Sequence, residues 1–129
     1  MAQNNLTLTL QQLDGSGNIL ARKTETVSNT APVAGEWRVG NLPTTAQATI
    51  SFTGLGSQVL QLLLKNTHAS AKVTVVWTPT TGAEATALII GPGDIIGFWH
   101  TNTGATYGIS SLKLTADTTN TTFELFLGT

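Results

Sequence analysis

The sequence predicts an all-β protein, built as a single β-sandwich of about nine or ten short antiparallel strands. Threonine provides 24 of the 129 residues and is spread from Thr7 to Thr129. Threonine is β-branched, so it suits a pleated strand better than a helix. It mostly alternates with aliphatic residues, as in LTLTL at residues 6–10. This alternation predicts strands with one apolar and one polar face.

The length is typical of one domain, and we expect residues 1–129 to form it. A chain of this size buries roughly two thirds of its unfolded surface, enough for a core without cross-links. The sequence contains no cysteine, so disulfides and thiolate sites are excluded. Residues 1–5 are polar and precede the first strand pattern. We therefore expect a flexible N-terminal arm over residues 1–5.

The first half of the chain predicts a hairpin followed by shorter strands. Strands are expected at residues 6–13 and 19–27, joined by the turn sequence DGSGN. A short strand is expected around residues 37–39. Residues 45–53 alternate apolar and polar side chains and predict a longer strand.

The strand predicted at residues 59–66 differs from its neighbours because VLQLLL at 59–64 is apolar on both faces. Such a strand is central and buried on two sides. A second sheet or a neighbouring subunit would cover it. Leu60, Leu62 and Leu64 are therefore candidate contacts of an oligomer.

The second half predicts strands at residues 72–78, 86–90, 95–100, 109–115 and 122–127. Between two of them, GPGD at 91–94 suits a type II turn, because Pro92 presets one φ and Gly93 tolerates a positive φ. Asp94 is expected to cap this turn by accepting a backbone N–H. This many strands in one small domain must split into two packed layers. We therefore predict a jelly-roll-like sandwich.

The charge pattern argues against several partners. Charged residues make up 10% of the chain and the net charge is −1, whereas an ordinary domain has about 25% charged residues. The six Lys and Arg residues are scattered, so we expect no nucleic-acid binding. We also expect no membrane span, no secretory signal and synthesis in the cytoplasm. So few charges favour a surface covered by copies of the chain or by a partner.

The polar residues predict no catalytic centre. His68 lies in a polar loop and His100 at a strand end, without the spacing of a two-histidine metal motif. No nucleophile-elbow pattern GxSxG occurs. Asp14 and Asp94 stand in turns without further acidic residues, so structural roles are expected for them. We predict a protein that is not an enzyme and has no metal or cofactor.

The tryptophans predict two kinds of environment. Trp77 and Trp99 alternate with apolar neighbours, which favours the core. Trp37 lies between Glu36 and Arg38 in a glycine-flanked stretch and is expected to be exposed. Trp and Arg are enriched at interface hot spots, so Trp37 and Arg38 are candidate partner contacts. An exposed Trp37 could instead be a platform for a glycan.

Three features together resemble small structural proteins of tailed-phage virions. They are the Met1-Ala2 start without a targeting signal, the neutral Thr/Asn/Gly-rich strands, and a chain that ends almost at its last strand, residues 123–129. The C-terminal half, with segments 64–67, 73–75, 91–94 and 109–115, is similar in texture to head decoration (cement) proteins and to tail or fibre modules. The resemblance implies a symmetric homo-oligomer, often a trimer, clamped on a capsid or tail.

These observations lead us to expect a non-enzymatic structural protein of a phage virion. Capsid decoration is the leading interpretation, with the major capsid protein or another virion protein as partner. The alternatives are a tail, baseplate or fibre component, and a carbohydrate- or receptor-binding module. Exposed aromatic residues in a concave groove would favour the binding module, and a flat apolar patch would favour assembly.

Overall fold

The computed structural model describes residues 4–29, 35–56, 58–83, 87–100 and 108–129. These described residues contain ten β-strands and no helix, which confirms the all-β prediction. The strands are β1 Asn4–Leu13, β2 Ile19–Asn29, β3 Gly35–Leu42, β4 Ala48–Thr49, β5 Gln61–Asn66, β6 Val73–Pro79, β7 Leu88–Ile90, β8 Ile95–Trp99, β9 Ile109–Ala116 and β10 Thr121–Gly128.

Strands β3 to β10 form two four-stranded antiparallel sheets. The first, sheet I, has the order β3-β10-β5-β8, and the second, sheet II, has the order β4-β9-β6-β7. Counted from β3, sheet I thus holds strands one, eight, three and six, and sheet II holds strands two, seven, four and five. This is the strand order of a jelly roll, so the predicted sandwich is confirmed.

The core lies between the two sheets. Leu64 and Leu125 of sheet I and Val75 and Leu114 of sheet II are completely buried there. Full burial of such side chains contributes about 1.5–3 kcal/mol each to the stability of the fold. The alternation of apolar and polar residues in the sequence therefore indicates which side chains face the opposite sheet.

The double-faced strand at residues 59–66 corrects one prediction. Leu60, Leu62 and Leu64 are all buried within the chain, and Leu62 and Leu64 belong to the core between the sheets. The second sheet covers Leu62 and Leu64, and Leu60 is buried as well, so none of the three is available to a partner. The opposite face of β5 carries Leu63, which is half-buried, between Gln61 and Lys65.

The hairpin β1–β2, here called the arm, is a separate two-stranded sheet outside the sandwich. Leu6, Leu8 and Leu10 share one face with their cross-strand partners Val27, Glu25 and Lys23. On the other face threonine hydroxyls pair across the strands, Thr7 with Thr26 at 2.9 Å and Thr9 with Thr24 at 3.0 Å. The arm thus has an apolar face and a polar face.

The N-terminal boundary of the arm differs from the prediction of a flexible segment over residues 1–5. Strand β1 begins at Asn4, so Asn4 and Asn5 belong to the ladder that pairs with Asn29 and Ser28. Residues 1–3 lie outside the described residues. Two polar asparagines concealed the strand because they interrupt the apolar alternation.

Two further strands differ in length from their predictions. Strand β3 spans eight residues instead of three, because every one of its residues pairs with β10. Strand β4 spans only Ala48–Thr49, although Ala48, Ile50 and Phe52 all pack against the core as their alternation predicts. Thr86, the predicted first residue of β7, lies outside the described residues.

The two sharp turns behave as predicted. Asp14 accepts hydrogen bonds from the backbone of Ser16 at 2.8 Å and of Asn18 at 2.9 Å. These bonds, led by one from the Asn18 side-chain amide, lower the pKa of Asp14 below its usual value. In the turn at 91–94, Gly93 has φ of 79° and the Asp94 carboxylate accepts the Gly91 N–H at 2.8 Å.

Candidate functional site

The arm is fastened to the outer face of sheet I at its root. The Asn4 side-chain amide donates to the Gln61 side-chain oxygen at 3.1 Å, and Gln61 in turn donates to the His100 carbonyl at 2.8 Å. Gly35 and Gly128 lie beside this bond, and a Cβ on either would collide with the Asn4 side chain. The two glycines therefore allow the arm to approach the sheet closely, and its attachment is specific.

Beyond the root the apolar face of the arm is exposed. Leu10 is 71% exposed and Leu8 is 49% exposed, and the aliphatic residues near the tip, Leu13, Ile19 and Leu20, are exposed as well. A single two-stranded hairpin is marginally stable in water. Exposed apolar rows on such elements are typical of interaction surfaces. We call Leu8, Leu10, Lys23 and Glu25 the arm row.

A second exposed surface lies on the outer face of sheet I. Val39, Glu124, Lys65 and Ile95 are Cα partners in successive strands and form one row across the sheet, here called the sheet patch. Val39 is 84% exposed and Ile95 is 60% exposed, and both charged residues are exposed. The patch therefore places two opposite charges between two uncovered aliphatic side chains.

The arm of the same chain does not fill the space above Ile95. Leu8 and Ile95 line a shared open cleft of about 380 Å³, together with Leu6 and Val27. The arm therefore stands away from the sheet beyond its root. Its leucines and the sheet patch remain accessible at the same time.

The third feature is a cleft of about 530 Å³ at the arm root, here called the root cleft. The arm contributes residues 4–7, and sheet I contributes Trp37, Leu63, Trp99 and Phe126. The Phe126 ring lies between the two indoles, at a centroid distance of 5.1 Å from Trp37 and 5.3 Å from Trp99. The root cleft is thus a concave site with an aromatic wall and a polar wall.

The tryptophan predictions have mixed outcomes. Trp37 is exposed as predicted, at 70%, and Trp77 packs against the core. The prediction that Trp99 is a core residue is wrong. Trp99 pairs with Gln61 on the outer face of sheet I and stacks on Phe126, while Phe98 faces the core. Both sides of β8 are apolar, so alternation alone did not identify the inner side.

Arg38, the other predicted partner contact, makes its polar contacts within the chain. Its guanidinium bonds the Glu36 carboxylate and donates to the Ser51 carbonyl, at the edge of the sandwich. The bond from Arg38 lowers the pKa of Glu36. The side chain therefore closes the space beside β3, and its charge is satisfied within the chain.

The two histidines lie in different environments. His68 Nδ1 accepts the backbone N–H groups of Ser70 at 3.2 Å and Ala71 at 2.9 Å, which orders the loop between β5 and β6. The His100 ring packs on Phe98 at 5.3 Å. Within the described ranges, no three His, Asp or Glu side chains form a group that could hold a metal ion.

A further cleft, of about 460 Å³, opens between the sheets beside β7 and β8. Its walls are core side chains such as Leu62, Val75, Phe98 and Leu112, with Trp77 at one side. Hydrophobic walls need a few convergent polar groups to orient a ligand. This cleft offers none beyond the indole of Trp77, so we assign it to the core.

Comparison with known proteins gave no match to a family model, to a curated protein or to a solved structure. None of the described residues lies in a helix long and apolar enough to cross a membrane. The arm row, the sheet patch and the root cleft are the candidate functional surfaces of the described residues. Sequence reasoning found Trp37 among them and missed the rest, although the LTLTL segment carried the signal for the arm row.

Proposed function

We propose that this protein is a non-enzymatic assembly protein, in which the arm row of each copy packs on the sheet patch of the next. The observation that carries the proposal is the coexistence of two exposed aliphatic surfaces on one chain. Covering Leu8 and Leu10 with Val39 and Ile95 would remove both from water in a single contact. Apolar burial of this kind contributes about 25 cal/mol per Å².

The charges of the two surfaces support the same pairing. On the arm row Glu25 lies opposite Leu8 and Lys23 lies opposite Leu10. On the sheet patch Glu124 and Lys65 are adjacent. Each surface thus offers one charge of each sign beside its aliphatic side chains. Opposite charges across an interface fix register and disfavour other partners.

The proposed contact joins two different surfaces, so it is heterologous and generates a closed ring or a filament. We favour a closed trimer, which agrees with the oligomer implied by the resemblance to virion proteins. Jelly rolls occur in viral capsids as well as in lectins, so the fold alone does not decide the function. The low charge and the two aliphatic surfaces favour assembly.

Within this class we propose capsid decoration, with the protein bound to the major capsid protein in the virion. A protein that binds only the assembled shell stabilises it by mass action. A tail, baseplate or fibre position is the alternative for the same oligomer. Co-sedimentation of the purified oligomer with phage shells, and with purified tails, distinguishes the two positions.

The pairing of surfaces is tested by light scattering on two variants. Leu10→Asp alters the arm row and Val39→Asp alters the sheet patch, and both positions are exposed, so neither change disturbs the core. We expect each variant alone to be a monomer. Their mixture should form a one-to-one pair, because one intact arm row meets one intact sheet patch. Ile89→Asp, an exposed change on β7, is the matched control and should remain oligomeric.

Three outcomes would contradict the proposal. If the wild-type protein has the mass of a monomer at high concentration, the proposed oligomer does not form. A Val39→Asp variant that keeps the wild-type mass would show that arms pair with arms. A mixture of Leu10→Asp and Val39→Asp that stays monomeric would show that the two surfaces are not partners.

A further inference from the structure

The root cleft has a rigid aromatic wall. The buried Phe126 ring supports Trp37 from within sheet I and is itself stacked on Trp99, with 16° between the latter two ring planes. Trp37 nevertheless keeps 70% of its surface exposed. A large aromatic ring held in this way offers a flat apolar surface at a low conformational-entropy cost.

The opposite wall of the cleft is polar. It is lined by Asn5, which is exposed, and by Thr7, whose hydroxyl lies on the polar face of the arm and is paired with the Thr26 hydroxyl at 2.9 Å. Each hydroxyl has one donor and two acceptor sites, so this pair keeps capacity for a further hydrogen bond. The Trp99 indole N–H is buried and has no acceptor among the described residues. Polar residues of the arm thus share a space of ligand size with an aromatic platform.

None of the eight described residues that line the root cleft is charged. A ligand bearing phosphate or carboxylate would lack a cationic partner there. The ligand that fits has an apolar face for the indole, hydroxyls for the polar residues of the arm, and no charge. We infer that the root cleft binds a neutral sugar residue of a glycan.

This inference goes beyond the proposed assembly and does not depend on it, because the root cleft lies at the base of the arm and the arm row lies beyond it. Binding is measured by isothermal titration with four trisaccharides: maltotriose, cellotriose, mannotriose and triacetylchitotriose. We expect at least one of them to bind the full chain at concentrations below about 10 mM.

The decisive variant is Trp37→Ala, compared with Val39→Ala two residues further along the same face of β3. We expect Trp37→Ala to weaken sugar binding by about tenfold or more, and Val39→Ala to leave it unchanged. The monomeric Leu10→Asp variant should bind sugar as the wild type does, which separates this site from the oligomer contact.

Circular dichroism on each variant confirms that the sandwich is intact before affinities are compared. Absence of binding to all four trisaccharides would overturn the inference, and so would an unchanged affinity in Trp37→Ala. Adenosine and uridine are titrated in parallel, since a nucleobase also stacks on an indole. Binding of a nucleoside without binding of any sugar would equally overturn it.

Discussion

The side-chain amide of Asn4 donates a hydrogen bond of 3.1 Å to the side chain of Gln61, which is completely buried. The two residues are 57 positions apart in the chain, and this bond ties the arm to the middle of sheet I. Gln61 also donates to the carbonyl of His100. Its amide is thus held from both sides, and the direction of the arm is set at this point.

Replacing Asn4 with alanine should loosen the arm root without unfolding the sandwich. The change removes a donor from the buried oxygen of Gln61, which costs about 1–3 kcal/mol when the group stays unsatisfied. Hydrogen exchange should become faster in β1 and β2, while β5 and β9 stay protected. Asn5→Ala, at the neighbouring position on the other face of the arm, is the control and should leave exchange unchanged.

Shortening Leu64 should destabilise the protein far more than shortening Leu10. Leu64→Ala leaves a cavity between the sheets and should lower the free energy of unfolding by about 2–5 kcal/mol. Leu10 is exposed, so Leu10→Ala should change it by less than about 0.5 kcal/mol in the monomer. Urea denaturation measures both values. Equal losses would show that Leu64 is not a core residue.

Asn66→Asp should be strongly destabilising at neutral pH and less so in acid. Asn66 is completely buried, and its amide donates to the carbonyls of Ala71 at 2.7 Å and Gly91 at 3.0 Å. One carboxylate oxygen would keep the His68 N–H as a donor, but the other would face two carbonyl oxygens, so the pKa of the introduced Asp rises above its usual value of about 3.9. We expect a loss of about 3–5 kcal/mol at pH 7.

The sign of the pH dependence follows from the raised pKa in the Asn66→Asp variant. The penalty is smallest below the unfolded pKa of about 3.9, where the carboxyl is protonated in both states, and it grows as pH rises toward the folded value. Urea midpoints should be measured at about pH 3.5 and at about pH 7. The midpoint of the variant should lie further below that of wild type at the higher pH. Asn66→Ala removes the amide without adding a charge. Its penalty should not vary with pH, and a similar variation in both variants would contradict the argument.

Asp117 should contribute stability that is lost in acid. Its carboxylate accepts the backbone N–H of Lys72 at 2.9 Å, which lowers its pKa below 3.8, and the Thr118 hydroxyl adds a second bond. A lowered folded pKa means that the stabilisation is complete above 3.8 and disappears as pH falls through the folded value. Melting temperatures of wild type and Asp117→Asn should converge on acidification.

The control for Asp117→Asn is Glu25→Gln, which removes one negative charge from the exposed arm. Its melting temperature relative to wild type should not follow the trend of Asp117→Asn. If the two variants gave the same acid dependence, the effect would come from net charge and not from the bond between Asp117 and Lys72.

The sandwich was largely predictable because strand alternation follows from packing. Leu112, Leu114 and Ala116 of β9 are buried in the alternation that the sequence shows. The hydrogen-bond pairing between strands is harder to predict from the sequence. Ala48, Ile50 and Phe52 reach the core, yet only Ala48–Thr49 forms a strand, since side-chain placement does not require a continuous ladder. For β3 the opposite holds, because its eight-residue ladder with β10 has no matching apolar pattern.

The candidate surfaces were less predictable, for a related reason. Alternation indicates that Leu8 and Leu10 share an apolar face, but it does not identify the surface that would cover this face. Trp37 was found because charged and glycine neighbours mark an exposed position. The root cleft depends on Asn4 meeting Gln61, and a contact between residues so distant in sequence has no local signature.

Strand β10 lies between β3 and β5 in sheet I. While residues 121–128 are still inside the ribosome, β3 and β5 have no common neighbour, and both leave unpaired edges open to other nascent chains. Sheet I therefore closes only after release of its middle strand, and such non-local pairing is slow. The yield of folded protein should therefore depend on how well the unpaired edges of β3 and β5 are protected during synthesis. It should increase with chaperone concentration more than the small size of the protein suggests.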